Sequence, residues 1–455
     1  MKNGATAEAA NVLTSGALEE LAGLPAAPLR LNRRLPALDY LRGFALLGIL
    51  MMNIDDFAGP EGMWDIPVDM PKAAFTGWHA HLDIALVILR WLLGEGRMRS
   101  LFSILFGAGV VLLTVRLEHR RPGKSSADIY YRRNLWLLFF GLCHGFLIWW
   151  GDILVDYAVI ALTLLYPLRR LHARTLLMVG MALWLAGGTF GSTHAMHTMN
   201  MLVAAPAQLT PPGRNLDSLP IAERALQQEE YEANVVSEMV EGKQDYLKGW
   251  KARIAGECFL LRLKFGSLWI LEWLGAMVTG MGLYKSGFLT NQRPRREYAW
   301  LALVCYAVSV PITLTGLWHV FHADFRVASF DTWMALPYST TVAAGTLANT
   351  SVILLLLRSG RFKHLFGWVA AVGRTAFSNY ILTSVLLKTV FSWGPWKLYG
   401  ELEFYQWACI VVAVWALNLC LSASWLHAFA FGPMEWLWRS LTYWKLQPWR
   451  LSSYQ

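Results

Sequence analysis

The 455-residue chain is 55% hydrophobic and only 16% charged, against about 25% charged residues in an ordinary soluble domain. Its net charge of +9 would suit nucleic acid, but the basic residues sit in short stretches between apolar runs. That pattern excludes a nucleic-acid partner and points to a lipid bilayer. The five cysteines, Cys143, Cys258, Cys305, Cys409 and Cys420, lie in or beside apolar runs without CxxC spacing. They read as buried thiols, with neither a disulfide framework nor a metal centre.

Residues 1–36 carry three glutamates where a secretory signal needs a basic start, and no continuous apolar stretch follows. They read as a disordered cytoplasmic tail with a short helix near Val12–Leu21. Beyond them, runs long enough to cross a bilayer, near 20 residues, fall at 37–54, 99–115, 134–150, 152–168, 175–194, 266–284, 298–318, 336–357, 366–391 and 405–430. The expected fold is therefore all-α and polytopic, with about ten transmembrane helices. The apolar run His81–Leu93 is short for a span and reads as an interfacial or re-entrant helix.

Charge in the loops sets the orientation. The stretch 116–133 holds six Lys/Arg, whereas 55–80 holds five acids and one lysine. Cationic loops stay cytoplasmic, so both termini are expected inside. The chain divides into an N-terminal block of five spans (37–194, with the interfacial helix 81–93), an external polar segment (195–265), a C-terminal block of five spans (266–430) and a cytoplasmic tail (431–455). The stretch 223–253 has the composition of an amphipathic surface helix. No internal repeat is visible.

Ionisable groups inside a bilayer cost roughly 2.5–3.5 kcal/mol each on insertion scales and ask for a reason. In the first span, Asp39, Arg42 and Asn53 share one helical stripe. Asp39 and Arg42 can pair near the cytoplasmic end, and Arg42 suits an anionic ligand. Ser100, Ser103, Gly107 and Gly109 mark close helix packing in the second span. The block GLCHGFLIWWGDIL at 141–154 places His144 near the outer end of the third span. Gly151 permits a sharp turn, and Asp152 opens the return helix, where a carboxylate suits the N-terminus. Across that hairpin His144 suits a general base oriented by Asp152. In the ninth span Thr375, Asn379 and Thr383 form a stripe, with Arg374 nearer the cytoplasm. They read either as a hydrogen-bonded seam or, for Arg374 and Asn379, as a cavity lining. Glu272 needs a partner that the sequence does not name. His79 and His81 have only Asp83 as a nearby third ligand and are not expected to hold a metal.

The blocks LDYLRGFALLGILMMNI (38–54), RSLFSILFGAG (99–109), GLCHGFLIWWGDIL (141–154), GRTAFSNY (373–380) and GPMEWLWRSLTYW (432–444) resemble, in order, the YeiB family of bacterial inner-membrane proteins. That family is similar in fold to membrane acyltransferases such as the lysosomal enzyme that acetylates heparan glucosamine from acetyl-CoA. The resemblance implies a multi-pass inner-membrane protein that takes an acyl group from cytoplasmic acyl-CoA or acetyl-CoA. Its acceptor would be an envelope sugar or small metabolite, and a homodimer is an open option. His144 and Asp152 would then be catalytic, with Arg42, Asn53, Arg374 and Asn379 lining the route of the donor. The relative's catalytic histidine lies between its first two spans, which leaves His79 or His81 as the alternative base. The rival readings are a proton-coupled transporter and a non-catalytic partner of an envelope complex. Against transport stand the absent repeat and the absence of paired Gly/Pro-broken helices.

Overall fold

A backbone surrounded by lipid has no water to bond, so each crossing segment must close its own hydrogen bonds as a helix. The computed structural model describes residues 36–60, 75, 77–120, 126–203, 237, 239–323 and 327–451, and their regular structure is helical throughout. The expected tail 1–36, apart from Pro36, and most of the expected surface helix at 223–253 lie outside the described residues.

In chain order the main helices are α1 (Pro36–Ala58), α2 (Ala80–Leu93), α3 (Arg97–Arg120), α4 (Ala127–Leu147) and α5 (Leu154–Ile160). They continue with α6 (Ala173–Gly187), α7 (Thr193–Val203), α8 (Trp250–Gly266), α9 (Ile270–Lys285) and α10 (Arg295–His322). The last five are α11 (Tyr338–Ser359), α12 (Lys363–Arg374), α13 (Ala376–Lys388), α14 (Phe404–Ala428) and α15 (Pro433–Tyr443). One-turn π-helical segments carry α5 on to Leu168, join α6 to α7 and extend α13 to Trp393. Six continuous helical stretches are long and apolar enough to cross a membrane. The chain is thus an all-α multi-pass membrane protein.

The apolar faces sort themselves accordingly. On α4, Leu135, Phe139 and Leu142 are exposed at steps of four and three, while Asn134, Leu137, Gly141 and His144 are buried on the other face. Exposed apolar side chains on such a helix meet lipid rather than water, which inverts the usual surface rule. The same logic corrects the reading of the cysteines. Cys305 is buried, but Cys258, Cys409 and Cys420 are exposed, and the last two belong to the lipid-facing surface of α14.

Two crossings are broken. At Gly94–Gly96 the chain passes from α2 into α3, with Gly96 at φ +65°. The run 81–93 is therefore a short helix that leads directly into α3. At Ser267–Trp269 the chain passes from α8 into α9, with Leu268 at φ +63°. The ninth apolar run, 366–391, is also two helices: α12 ends at Arg374 and α13 starts at Ala376.

α3 and α9 form the centre of the bundle. A Cβ on Gly107 would lie 1.9 Å from the carbonyl oxygen of Met277, and one on Gly280 would lie 2.0 Å from that of Ile104. Only glycine allows this backbone approach. Arg99 and Glu272, which pair across the same interface, are 173 residues apart, and so are Gly107 and Gly280, and Ile104 and Met277. Facing positions of the central pair are thus separated by one offset of 173 residues. The expectation of no matched broken helices is corrected here, since the breaks at Gly94–Gly96 and Ser267–Trp269 share that offset.

Candidate functional site

The breaks bring the N-terminal ends of α3, α5, α9 and α11 to one place, where their dipoles favour negative charge. A cavity of about 240 Å³ lies there, contacted by Glu95 and Arg99, Asp152 and Ile153, Trp269 and Trp273, and Tyr338. Asn53, Asp55 and Asp56 enter from α1, Arg90 and Trp91 from α2, Lys264 from α8 and Tyr380 from α13. Trp149 and Trp150 close one wall.

The cationic side chains that line this cavity are each paired with a carboxylate, whereas the buried Glu257 behind Lys264 keeps both carboxylate oxygens without a hydrogen-bond partner. Arg90 reaches Asp55 at 2.7 Å and Glu95 at 3.2 Å. Arg99 pairs with Glu272 at 3.1 Å, and its guanidinium lies 5.3 Å from the ring centres of both Trp269 and Trp273. Trp269 Nε1 donates to the second oxygen of Glu272 at 2.9 Å. Glu272, unplaceable from sequence, is therefore held on both sides. Lys264 Nζ donates to Asp156 at 2.8 Å and to the backbone oxygen of Asp152 at 2.9 Å. Aligned helix ends explain why several of these acids open a helix, and ion pairing explains why they remain tolerable in a dry centre.

The 141–154 hairpin builds the polar wall. A Cβ on Gly141 would lie 2.7 Å from the backbone nitrogen of Val155, so α5 starts directly against α4. A Cβ on Gly151 would meet the Trp149 ring at 2.3 Å; glycine there lets Trp149 fold beneath the turn and stack on Phe57 at 4.2 Å. Asp152 Oδ1 contacts His144 Nδ1 at 2.8 Å, while Oδ2 accepts the N–H of Val155 at 2.8 Å. The capping role and the histidine-orienting role, alternatives in the sequence, are held by the two oxygens of one carboxylate. His144 Nε2 lies 2.9 Å from Ser384 Oγ, and the Tyr380 hydroxyl donates to Asp152 Oδ1 at 3.3 Å. Both His144 and Asp152 are buried.

Tyr380, Asp152, His144 and Ser384 thus form a continuous polar chain. Its cavity-facing members are Asp152 and Tyr380, with His144 and Ser384 one layer back. Sequence reasoning missed Ser384 and Tyr380. The signal was available in their spacing of four on α13, which puts both on one helical face.

The remaining expected residues divide. Asn53 lines the cavity, but Arg42, Arg374 and Asn379 do not. Asn379 Nδ2 donates to Thr375 Oγ1 at 3.0 Å and Ser422 Oγ at 2.8 Å, a seam joining α13 to α14. Arg42 pairs with Asp39 at 3.2 Å. At the other end, His79 and Asp83 find a third donor in Glu403, with donor atoms within 4.8 Å of one another. Asp83 already binds His79 and the N–H of Tyr405, and Glu403 caps α14. This cluster ties α2 to α14.

Residues 283–445 match the model of a family described as "Protein of unknown function (DUF418)". Over 430 residues the chain is 27% identical to the uncharacterized protein YxaH of Bacillus subtilis (strain 168), covering 92% of this chain and 97% of that protein. It is 28% identical over 412 residues to the uncharacterized protein YeiB of Escherichia coli (strain K12), covering 89% and 95%. Over 416 residues it is 24% identical to an uncharacterized 39.9 kDa protein of Bacillus acidopullulyticus, covering 91% and 96%.

Proposed function

We propose, from the premise that this chain is a YeiB-like protein with a DUF418 domain, that it is an acyltransferase of the bacterial cytoplasmic membrane. It moves an acyl group from an acyl-CoA thioester to a hydroxyl or amine of an envelope sugar or small metabolite. The observation that carries the reading is the Tyr380–Asp152–His144–Ser384 chain, running from half-buried Tyr380 to buried Asp152, His144 and Ser384, in the wall of a tryptophan-lined cavity. A volume of about 240 Å³ lies below the roughly 300–1,000 Å³ of common small-molecule sites. It suits a small acceptor group. Tryptophan faces with paired charges at their edges suit a sugar-like ligand, apolar on one face and hydrogen-bonding at the rim.

The acceptor gives its proton to the His144–Asp152 couple, whose cavity-facing atoms belong to Asp152. Its oxygen or nitrogen bonds to the acyl carbonyl carbon, the C–S bond breaks, and the thiol leaves with the proton. General-base help of this kind contributes roughly 10²–10⁴-fold. The test is thiol release from acetyl-CoA and longer acyl-CoAs by the purified chain, across hydroxyl- and amine-bearing acceptors. Acceptor-dependent release that vanishes in His144→Ala and Asp152→Asn supports the reading. Full activity in either variant sinks the assignment of the base.

A second reading is favoured by one observation. Two helices are interrupted at the cavity, at Gly94–Gly96 and Ser267–Trp269, the arrangement that many transporters use for a central binding site. Substrate flux into proteoliposomes without covalent change would support proton-coupled transport over transfer.

A further inference from the structure

The second signature block, FGPMEWLWRSLTYWK at 431–445, takes no part in the cavity. It forms α15 at the end of the bundle that carries the basic loops. Glu435 there accepts the N–H of Phe377 at 2.7 Å, the N–H of Ser378 at 3.2 Å and the Ser378 hydroxyl at 2.5 Å. A buried carboxylate on α15 thus caps α13, and a Cβ on Gly432 would meet Thr375 Cγ2 at 3.1 Å. This docking brings α15 against the α12–α13 turn, beside Arg374. Trp438 Nε1 donates to the backbone oxygen of Arg133 at 2.9 Å, and the Arg133 guanidinium lies 3.6 Å from the Trp438 ring centre.

Four helices therefore deliver arginine to one region: Arg42 from α1, Arg133 from α4, Arg374 from α12 and Arg439 from α15. Arg133 lies in the field of both Arg439 and Arg42. Arg374 and Arg42 share Asp39 as their nearby acid. Among the described residues, Arg133 and Arg439 rest on aromatic faces, with no carboxylate in ion-pair contact. Arg374 Nε is buried without a hydrogen-bond partner. Like charges gathered with one buried donor, Arg374 Nε, left empty favour an anion that completes the set, and planar guanidinium forks match phosphate oxygens.

We infer that Arg42, Arg133, Arg374 and Arg439 form a binding site for a phosphate-bearing anion, assembled by the docking of α15. The site stands on this geometry; it rests on the acyl-transfer reading only for the thought that the occupant is the phosphorylated part of a thioester donor.

The test uses the full chain in neutral detergent, with inorganic pyrophosphate and unacylated CoA as probes, read by calorimetry. Saturable binding that falls at least tenfold in Arg133→Gln and in Arg439→Gln supports the site. Arg439→Lys, which keeps the charge and loses the fork, should bind with an affinity between those of wild type and Arg439→Gln and guards against a variant that merely misfolds. Displacement of the probes in nanodiscs containing phosphatidylglycerol, but not phosphatidylcholine, identifies a lipid headgroup as the resident phosphate. Probe binding through these arginines in a chain that never releases thiol sinks acyl transfer and leaves the site standing. Absence of binding by both probes, or unchanged affinity in folded Arg133→Gln and Arg439→Gln, overturns it.

Discussion

The cavity and the basic end of the bundle handle charge in opposite ways. Around the cavity, Arg90, Arg99, Lys264 and His144 each meet a carboxylate within 3.2 Å. At the basic end, Arg133 and Arg439 lie on aromatic rings and Arg374 keeps an empty donor. A site whose charges are already matched is preorganised for an uncharged polar ligand, because binding need not supply a counterion. A site rich in unmatched cations waits for one. On the acyl-transfer reading proposed above, the arginine site would hold the anionic donor and the cavity the neutral acceptor. α13 is the physical link: Glu435 caps its start at the basic end, and Ser384 and Tyr380 lie along it at the polar wall.

Breaking the wall gives the largest expected effect. His144→Ala and Asp152→Asn should each lower acceptor-dependent thiol release by roughly 10²–10⁴-fold, with probe binding at the arginines retained. Ser384→Ala, which removes only the partner of Nε2, should cost less than either. Next in size is the central ion pair. Glu272→Gln strands the Arg99 guanidinium in the bundle centre and should cost about 3–5 kcal/mol of stability, as broken buried pairs do. Thermal or denaturant unfolding in detergent measures it, and pairing the change with Arg99→Met should recover much of the loss. If the single variant is as stable as wild type, the pair does not hold α3 to α9.

Glu435→Gln tests the link between the ends. Losing the charge from three hydrogen bonds should cost about 1.5–3 kcal/mol and lower turnover as well, since α13 carries Tyr380 and Ser384. A stability loss with unchanged turnover would show the two ends to be independent. The smallest effect is that of salt. Raising ionic strength from 0.01 to 0.15 M shortens the Debye length from about 30 to 8 Å and should weaken pyrophosphate binding several-fold. A neutral acceptor's affinity at the cavity should barely move.

Much of this was legible in the chain. Long apolar runs, loop charge and the scarcity of charged residues determined an all-α multi-pass bundle, because lipid leaves the backbone no other solution. The 141–154 block offered His144 and Asp152 as a couple across a hairpin, and the fold decided that they touch. The Asp39–Arg42 pair follows equally from helical spacing. Tertiary structure alone decided which distant groups meet. Arg99 with Glu272, Lys264 with Asp156, His144 with Ser384 and Glu435 with the start of α13 join residues separated by between 57 and 240 positions. It also decided that Asp152 faces the cavity, that helices break at Gly94–Gly96 and Ser267–Trp269, and that Asn379 forms a seam. Local spacing fixes which face of a helix a residue occupies. Which partner that face meets depends on how all the helices pack, and that is set by shape and burial summed over the whole bundle.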